Sequence, residues 1–192
     1  MFRPEEVALS YVYHAVPDRL TGTTLEPLAR LKTTAPELHD AAIAKYDDDP
    51  SRRNIPRRHV AKLDCAYEEV INLSPLNPSL IHQCWNDLGV SLGSSHWFAI
   101  PIDRLRGLPA VVTIPDRQTG VGEDIGDDAV TWLDPDQHQE LIKLPDKTVQ
   151  WYRKLANSGR RGAWFVGVPH ILVKGSISVA GLEAIDWSLP EI

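Results

Sequence analysis

The sequence predicts an α+β fold in a single domain, and three observations carry that reading. Short apolar strand-like runs alternate with short helix-like segments, without the regular βαβ spacing of a doubly wound parallel sheet. The 192 residues are 43% hydrophobic, enough for one core but for no second domain beyond a tiny one. Residues 162–187 gather Ile171-Leu172-Val173, a sharp turn at Gly175 and a short return element around Ile177, Val179 and Leu182 into one apolar stretch.

The elements follow in order. Residues 7–16 alternate and carry β-branched and aromatic side chains, so they read as a strand ending at Pro17. Thr23-Thr24-Leu25-Glu26 has the form of a capping box, which predicts a short helix to about residue 32 with Pro27 in its first turn. Residues 36–45 predict a second helix, Leu38, Ala41, Ala42 and Lys45 sharing a face. Residues 47–62 are polar and charged and read as a loop or a poorly packed helix. Residues 69–73 form a short strand. Asn77-Pro78 before residues 79–88, with Gly89 after them, supplies a cap, a first-turn proline and a terminating glycine. Residues 91–95 make a Gly/Ser turn. Residues 97–102 and 110–114 read as two strands joined by a turn around Arg106-Gly107. Residues 116–146 hold nine acidic side chains against Arg117 and Lys143, and read as an acidic insertion or surface loop. A helix over 149–156, a basic turn over 157–162 and two strands over 164–168 and 171–173 complete the chain, with no internal repeat.

Bulk properties exclude several classes. A formal net charge of −6 argues against broad attraction to nucleic acid or anionic membrane, although a local basic patch is still free to bind phosphate. Two cysteines, Cys65 and Cys84, are too few for a disulfide scaffold and read as reduced thiols. No apolar run approaches the length of a membrane span, and residues 1–6 do not open a signal peptide, so a cytoplasmic protein is expected.

Most candidate motifs read as surface. The glycines of residues 120–126 are spaced one residue too long for a dinucleotide loop, and acidic neighbours would repel a pyrophosphate. Asp134-Pro135-Asp136-Gln137-His138 and Asp47-Asp48-Asp49 lack metal-ligand spacing, so no metal site is expected. Ser94-Ser95-His96 has no nucleophile elbow, and Cys84 lies mid-helix without an activating histidine nearby in sequence. The cluster Arg52, Arg53, Arg57, Arg58 and Lys62, with His59, is different. Guanidinium forks suit phosphate oxygens, and helical spacing would put Arg53 and Arg57 on one face. His14 and His170 each stand in or beside a predicted strand near one end of the chain.

Four segments together resemble the ADP-ribosyltransferase superfamily. Tyr13-His14-Ala15-Val16-Pro17 resembles its first strand, whose terminal His reaches a ribose of NAD. Residues 69–75 followed by the Asn77-Pro78 helix resemble its second strand and the segment beside the nicotinamide. Residues 97–105 resemble its middle strand. His170-Ile171-Leu172-Val173-Lys174-Gly175-Ser176-Ile177 resembles its last, with His170 where a catalytic glutamate is usual. The resemblance implies a split β-sheet core with NAD as co-substrate. It implies His14 and His170 as the catalytic pair, and Tyr13, His14, Arg53, Arg57, Ser74 and Trp97 as cofactor contacts. The implied reaction transfers ADP-ribose to a nucleic acid or protein, as in a toxin or defence protein. A neutral His170 can hold a hydroxyl but cannot stabilise positive charge. Two alternatives therefore stand beside it: an RNA 2′-phosphotransferase-like enzyme, and a nucleotide- or protein-binding module without catalysis. The geometric expectation is that His14 and His170 share one nucleotide-sized pocket.

Overall fold

A computed structural model of the chain describes residues 10–47, 50–115 and 121–189. Two antiparallel sheets organise it. The first contains β1 (Tyr11–Ala15), β6 (His96–Pro101) and β11 (Ala184–Asp186) in the order β1-β6-β11. The second contains β5 (Val70–Leu73), β9 (Ile171–Lys174), β7 (Ala110–Thr113) and β8 (Val130–Trp132) in the order β5-β9-β7-β8. They meet where Tyr13 and Ser74 exchange backbone bonds of 2.8 and 3.0 Å, which ties β1 to the end of β5. Two small ladders flank them: β2 (Thr24–Leu25) with β10 (Ile177–Ser178), and β3 (His59–Val60) with β4 (Cys65–Ala66).

Strand alternation sorts the apolar residues into three layers. Val12, Phe98 and Ile100 of the first sheet pack with Ile71, Leu73, Ala110, Ile171 and Val173 of the second in a central core. On the other face of the first sheet, Tyr13 and Trp97 meet Ile81 and Trp85 of α3 (Pro78–Asp87) and Tyr152 and Leu155 of α4 (Asp146–Asn157). On the other face of the second sheet, Val70, Val111 and Leu172 meet Val60, Leu63, Ile125 and Ala129. This explains the run Ile171-Leu172-Val173. A strand covered on both faces needs apolar residues at consecutive positions, and all three are fully buried. Each such side chain contributes about 1.5–3 kcal/mol of burial.

Helix α3 starts as its sequence predicts: Asn77 Oδ1 accepts from the Ser79 N–H at 2.9 Å, Pro78 occupies the first turn, and Gly89 follows with φ +76°.

Several expectations are corrected. Thr23 does not cap a helix; Thr24 and Leu25 join β2, and α1 (Leu28–Thr34) begins after Pro27, while Glu26 pairs with Arg30 at 3.3 Å. It is followed directly by α2 (Pro36–Ala44). The segment 164–168 is a series of turns, because its carbonyls bond to side chains of α4 and not to a neighbouring strand. There Thr148 Oγ1 donates to the Val166 carbonyl at 2.7 Å, and the Tyr152 hydroxyl donates to the Trp164 carbonyl. The expected turn at Gly107, φ +80°, does join β6 to β7, and it carries the chain from one sheet to the other. The chain after Gly175 does not return on β9 but pairs with β2. Residues 121–146 are largely exposed, but they are also tied into the fold. They supply β8 and bury Ile125 and Ala129. Glu140 accepts from the Tyr11 N–H at 2.7 Å and the Tyr13 hydroxyl at 2.6 Å, so an acidic residue of this segment ties it to β1. Residues 116–120 of the predicted insertion, and residues 7–9 of the predicted first strand, lie outside the described residues.

Candidate functional site

A cleft of about 430 Å³ opens at the end of the second sheet where β9 begins and β7 finishes. His170 immediately precedes β9. Its backbone is clamped to β7, since its N–H donates to Thr113 Oγ1 at 2.8 Å and its carbonyl accepts from the Thr113 N–H at 2.8 Å. Opposite lie Tyr46, just after α2, and Tyr67, just before β5. The 164–166 turns held by α4 form a further wall, and Ala163 beside them adopts φ +50°, a left-handed conformation unusual for a residue with a side chain.

The arginines enter from the segment that the sequence marked as basic. It folds as 3₁₀ turns over Pro50–Arg52 and Ile55–Arg57, not as an α-helix. Prolines at 50 and 56 suit first-turn positions but interrupt any continuous helical ladder. Side chains three apart then share a side, and Arg52, Ile55 and Arg58 all line the cleft. Arg53 and Arg57, the pair expected from a helical period, point to solvent instead, with Arg53 Nε 3.8 Å from Asp47.

Each cleft arginine lies over a tyrosine ring: Arg52 is 5.7 Å from the Tyr46 centroid, and Arg58 is 4.3 Å from that of Tyr67. Arg58 Nε is buried and has no hydrogen-bond partner. Among the described lining residues there is no Asp or Glu, in a chain of net charge −6. The Tyr67 hydroxyl accepts from Asn72 Nδ2, and Asn72 Oδ1 lies 3.0 Å from His170 Nδ1. Burial, then the nearby Arg58 charge, pushes the His170 imidazole down to about 4. Burial raises the Tyr67 phenol, partly offset by Arg58.

The other predicted contacts lie elsewhere. His14 does not line the cleft. It stands in β1 opposite Phe98, with Nδ1 2.6 Å from the Ala15 carbonyl, and alternation puts it on Val12's side of the strand. Burial, and secondarily Lys45, lower it to about 4 against the Ala15 carbonyl. Lys45, the charged neighbour of His14, is adjacent in sequence to Tyr46 of the cleft wall. Tyr13 and Ser74 are buried at the junction of the sheets. Trp97 is buried with its ring 6.2 Å from Trp187 and 5.9 Å from Phe165, so it has no free face for a ligand to stack on. Phe165 carries this aromatic packing to the cleft, where its ring lies 6.0 Å from His170. Tyr46, Tyr67, Asn72 and Phe165 were absent from the predicted site. The legible signal was Asn72, a lone amide in the apolar run of β5.

A second hollow, about 580 Å³, lies against the first turn of α2, lined by Arg19, Thr21, Glu37 and three apolar side chains, without the aromatic faces or paired arginines of the cleft. Among the described residues no group of three or more His, Cys, Asp and Glu is placed to hold a metal ion. Cys65 and Cys84 are free thiols, both raised by burial. No helix of the described residues is long and apolar enough to cross a membrane. No family model, curated protein or solved structure matches this chain.

Proposed function

We propose that the protein is ADP-ribosyltransferase-like: it binds NAD, or a related nucleotide, in the Arg52/Arg58 cleft and passes ADP-ribose to a nucleic-acid or protein acceptor. The lining of that cleft supports the reading most. Two guanidiniums, each set on a tyrosine, face a space free of described carboxylates in an otherwise acidic protein. Such a surface favours an anionic ligand with an aromatic part: Arg forks grip a diphosphate, and Tyr, Trp164 or Phe165 faces take a ring.

Transfer breaks the bond between ribose C1′ and the nicotinamide nitrogen, whose electron pair leaves with neutral nicotinamide. An acceptor oxygen or nitrogen then bonds to C1′ and loses its proton. A neutral His170 can accept a hydrogen bond from a ribose hydroxyl or from the acceptor, orienting it. No described group of the cleft carries the negative charge that would steady the developing cation. That same absence favours a second reading, a nucleotide-binding protein without transfer. A basic cleft also accommodates a 2′-phosphorylated RNA end.

Incubation with NAD and candidate acceptors, followed by assay of free nicotinamide, tests the proposal. Nicotinamide release supports transfer, and binding of NAD by calorimetry without release supports the second reading. Absence of binding by both NAD and ADP-ribose overturns both.

A further inference from the structure

We propose that Asn72 is a positioning residue that fixes His170 as the tautomer protonated on Nδ1, so that Nε2 offers the cleft a lone pair and the ligand group read there is a hydrogen-bond donor, a sugar hydroxyl or N–H, not a second phosphate. The inference deepens the nucleotide reading of the cleft and rests on it only for the ligand.

The geometry is over-determined. Asn72 stands opposite Leu172 in the β5–β9 register, one strand away from the residue it orients. Its Nδ2 is committed as a donor to the Tyr67 hydroxyl, so its Oδ1 is the atom left to face His170 Nδ1 at 3.0 Å. An acceptor oxygen at that distance requires a proton on Nδ1. In a neutral ring the other nitrogen is then bare. The His170 backbone has little freedom to turn away, because Thr113 holds both its N–H and its carbonyl. The Phe165 ring flanks the imidazole. The charged and titratable groups that share the cleft with it are Arg52, Arg58, Tyr46 and Tyr67, and no described carboxylate lines the cleft to stabilise an imidazolium. The ring is therefore neutral across ordinary pH, consistent with its low proton affinity. A bare Nε2 repels a phosphate oxygen and accepts a hydroxyl. The cleft is thus divided: an anion end at Arg58, whose buried Nε lacks a partner, and a donor-reading end at His170.

Nitrogen NMR of protein labelled at histidine tests this without any ligand. At neutral pH the His170 signals should show a protonated Nδ1 and an unprotonated Nε2. In Asn72→Leu the tautomer preference should be lost, and ADP-ribose affinity should fall about tenfold, one lost hydrogen bond to an oriented group, while inorganic pyrophosphate binding is unchanged. In Asn72→Asp, which keeps the acceptor and adds a charge, Nδ1 should stay protonated and proton affinity should rise at least about tenfold. A wild-type spectrum with the proton on Nε2 overturns the inference, as does an unaltered His170 spectrum in a folded Asn72→Leu. If that variant does not fold, the wild-type spectrum decides alone. Failure of NAD to bind would sink the nucleotide reading while leaving the tautomer result standing.

Discussion

Acid should unfold this protein through its two neutral imidazoles, in a pH window that separates them from its carboxylates. Folding holds His170 neutral down to about 4, whereas an imidazole in the unfolded chain takes its proton near 6.5. Above 6.5 neither state is protonated and the group contributes no pH dependence. Between 6.5 and about 4 the unfolded chain binds a proton that the folded chain excludes, so stability falls as pH falls. Below about 4 both are protonated and the loss is complete. Each pH unit of that interval corresponds to about 1.4 kcal/mol, or roughly 3 kcal/mol in full. The ring is half-buried and faces an open cleft, so solvent screening reduces this to about 1–2 kcal/mol. His14 follows the same pattern, and the wild type should lose about 2–4 kcal/mol between about pH 7 and pH 4.5 from the pair. Asp186, held at about 2 by Ser94 and Ser188, keeps its contribution above the ordinary carboxylate value and does not enter this window. Urea unfolding followed by tryptophan fluorescence at the two pH values measures the effect. His170→Gln should lose about 1–2 kcal/mol less than wild type over the same interval. Equal losses in the two proteins would refute the assignment of a buried neutral His170.

Three further outcomes follow from the same structure. Arg58→Ala should weaken ADP-ribose binding about 10- to 100-fold by calorimetry, the worth of one or two charge-assisted hydrogen bonds, whereas Arg57→Ala, on the solvent side, should change it less than about twofold. Trp85→Ala should cost about 3–5 kcal/mol in denaturant unfolding, because the fully buried indole packs 5.1 Å from Tyr152 and 5.5 Å from Trp164. Asn77→Ala should cost about 1 kcal/mol by removing the acceptor of the Ser79 N–H at the head of α3; thermal melts would show it, and an unchanged melt would contradict the capping role.

The α+β class was legible, and so were the elements whose signals are local. Asn77-Pro78 with Gly89 marked α3 because a cap, a fixed φ and a left-handed glycine each act within a turn. Ile171-Leu172-Val173 marked β9 because burial on both faces leaves no polar position. What failed depended on distant partners. Trp164 to Val168 is as apolar as a strand, but bonds to α4 take its carbonyls out of any sheet. Acidic density hid β8, since Asp136 binds Arg106 at 2.5 Å and Glu140 binds Tyr13, contacts invisible in a count of charges. The basic cluster was visible, but its period was misread. A rhythm of three through Arg52, Ile55 and Arg58 reaches the cleft, where a rhythm of four picked Arg53 and Arg57. His170 lines the cleft; His14, identified by the same local pattern, does not, because pleat direction decides which way a strand residue looks.

The placement of β9 between β5 and β7 sets an order on synthesis. β5 registers with β9 through Val70 and Lys174, and β7 through Ala110 and Val173, so both wait for residues made long after them. Until then two strands present raw edges with bulky aliphatic faces, the sort of surface that captures other nascent chains. A polypeptide stalled on the ribosome before Ile171 would carry most of its mass and lack the plank that joins it. Chaperone dependence during translation should accordingly be concentrated in that interval.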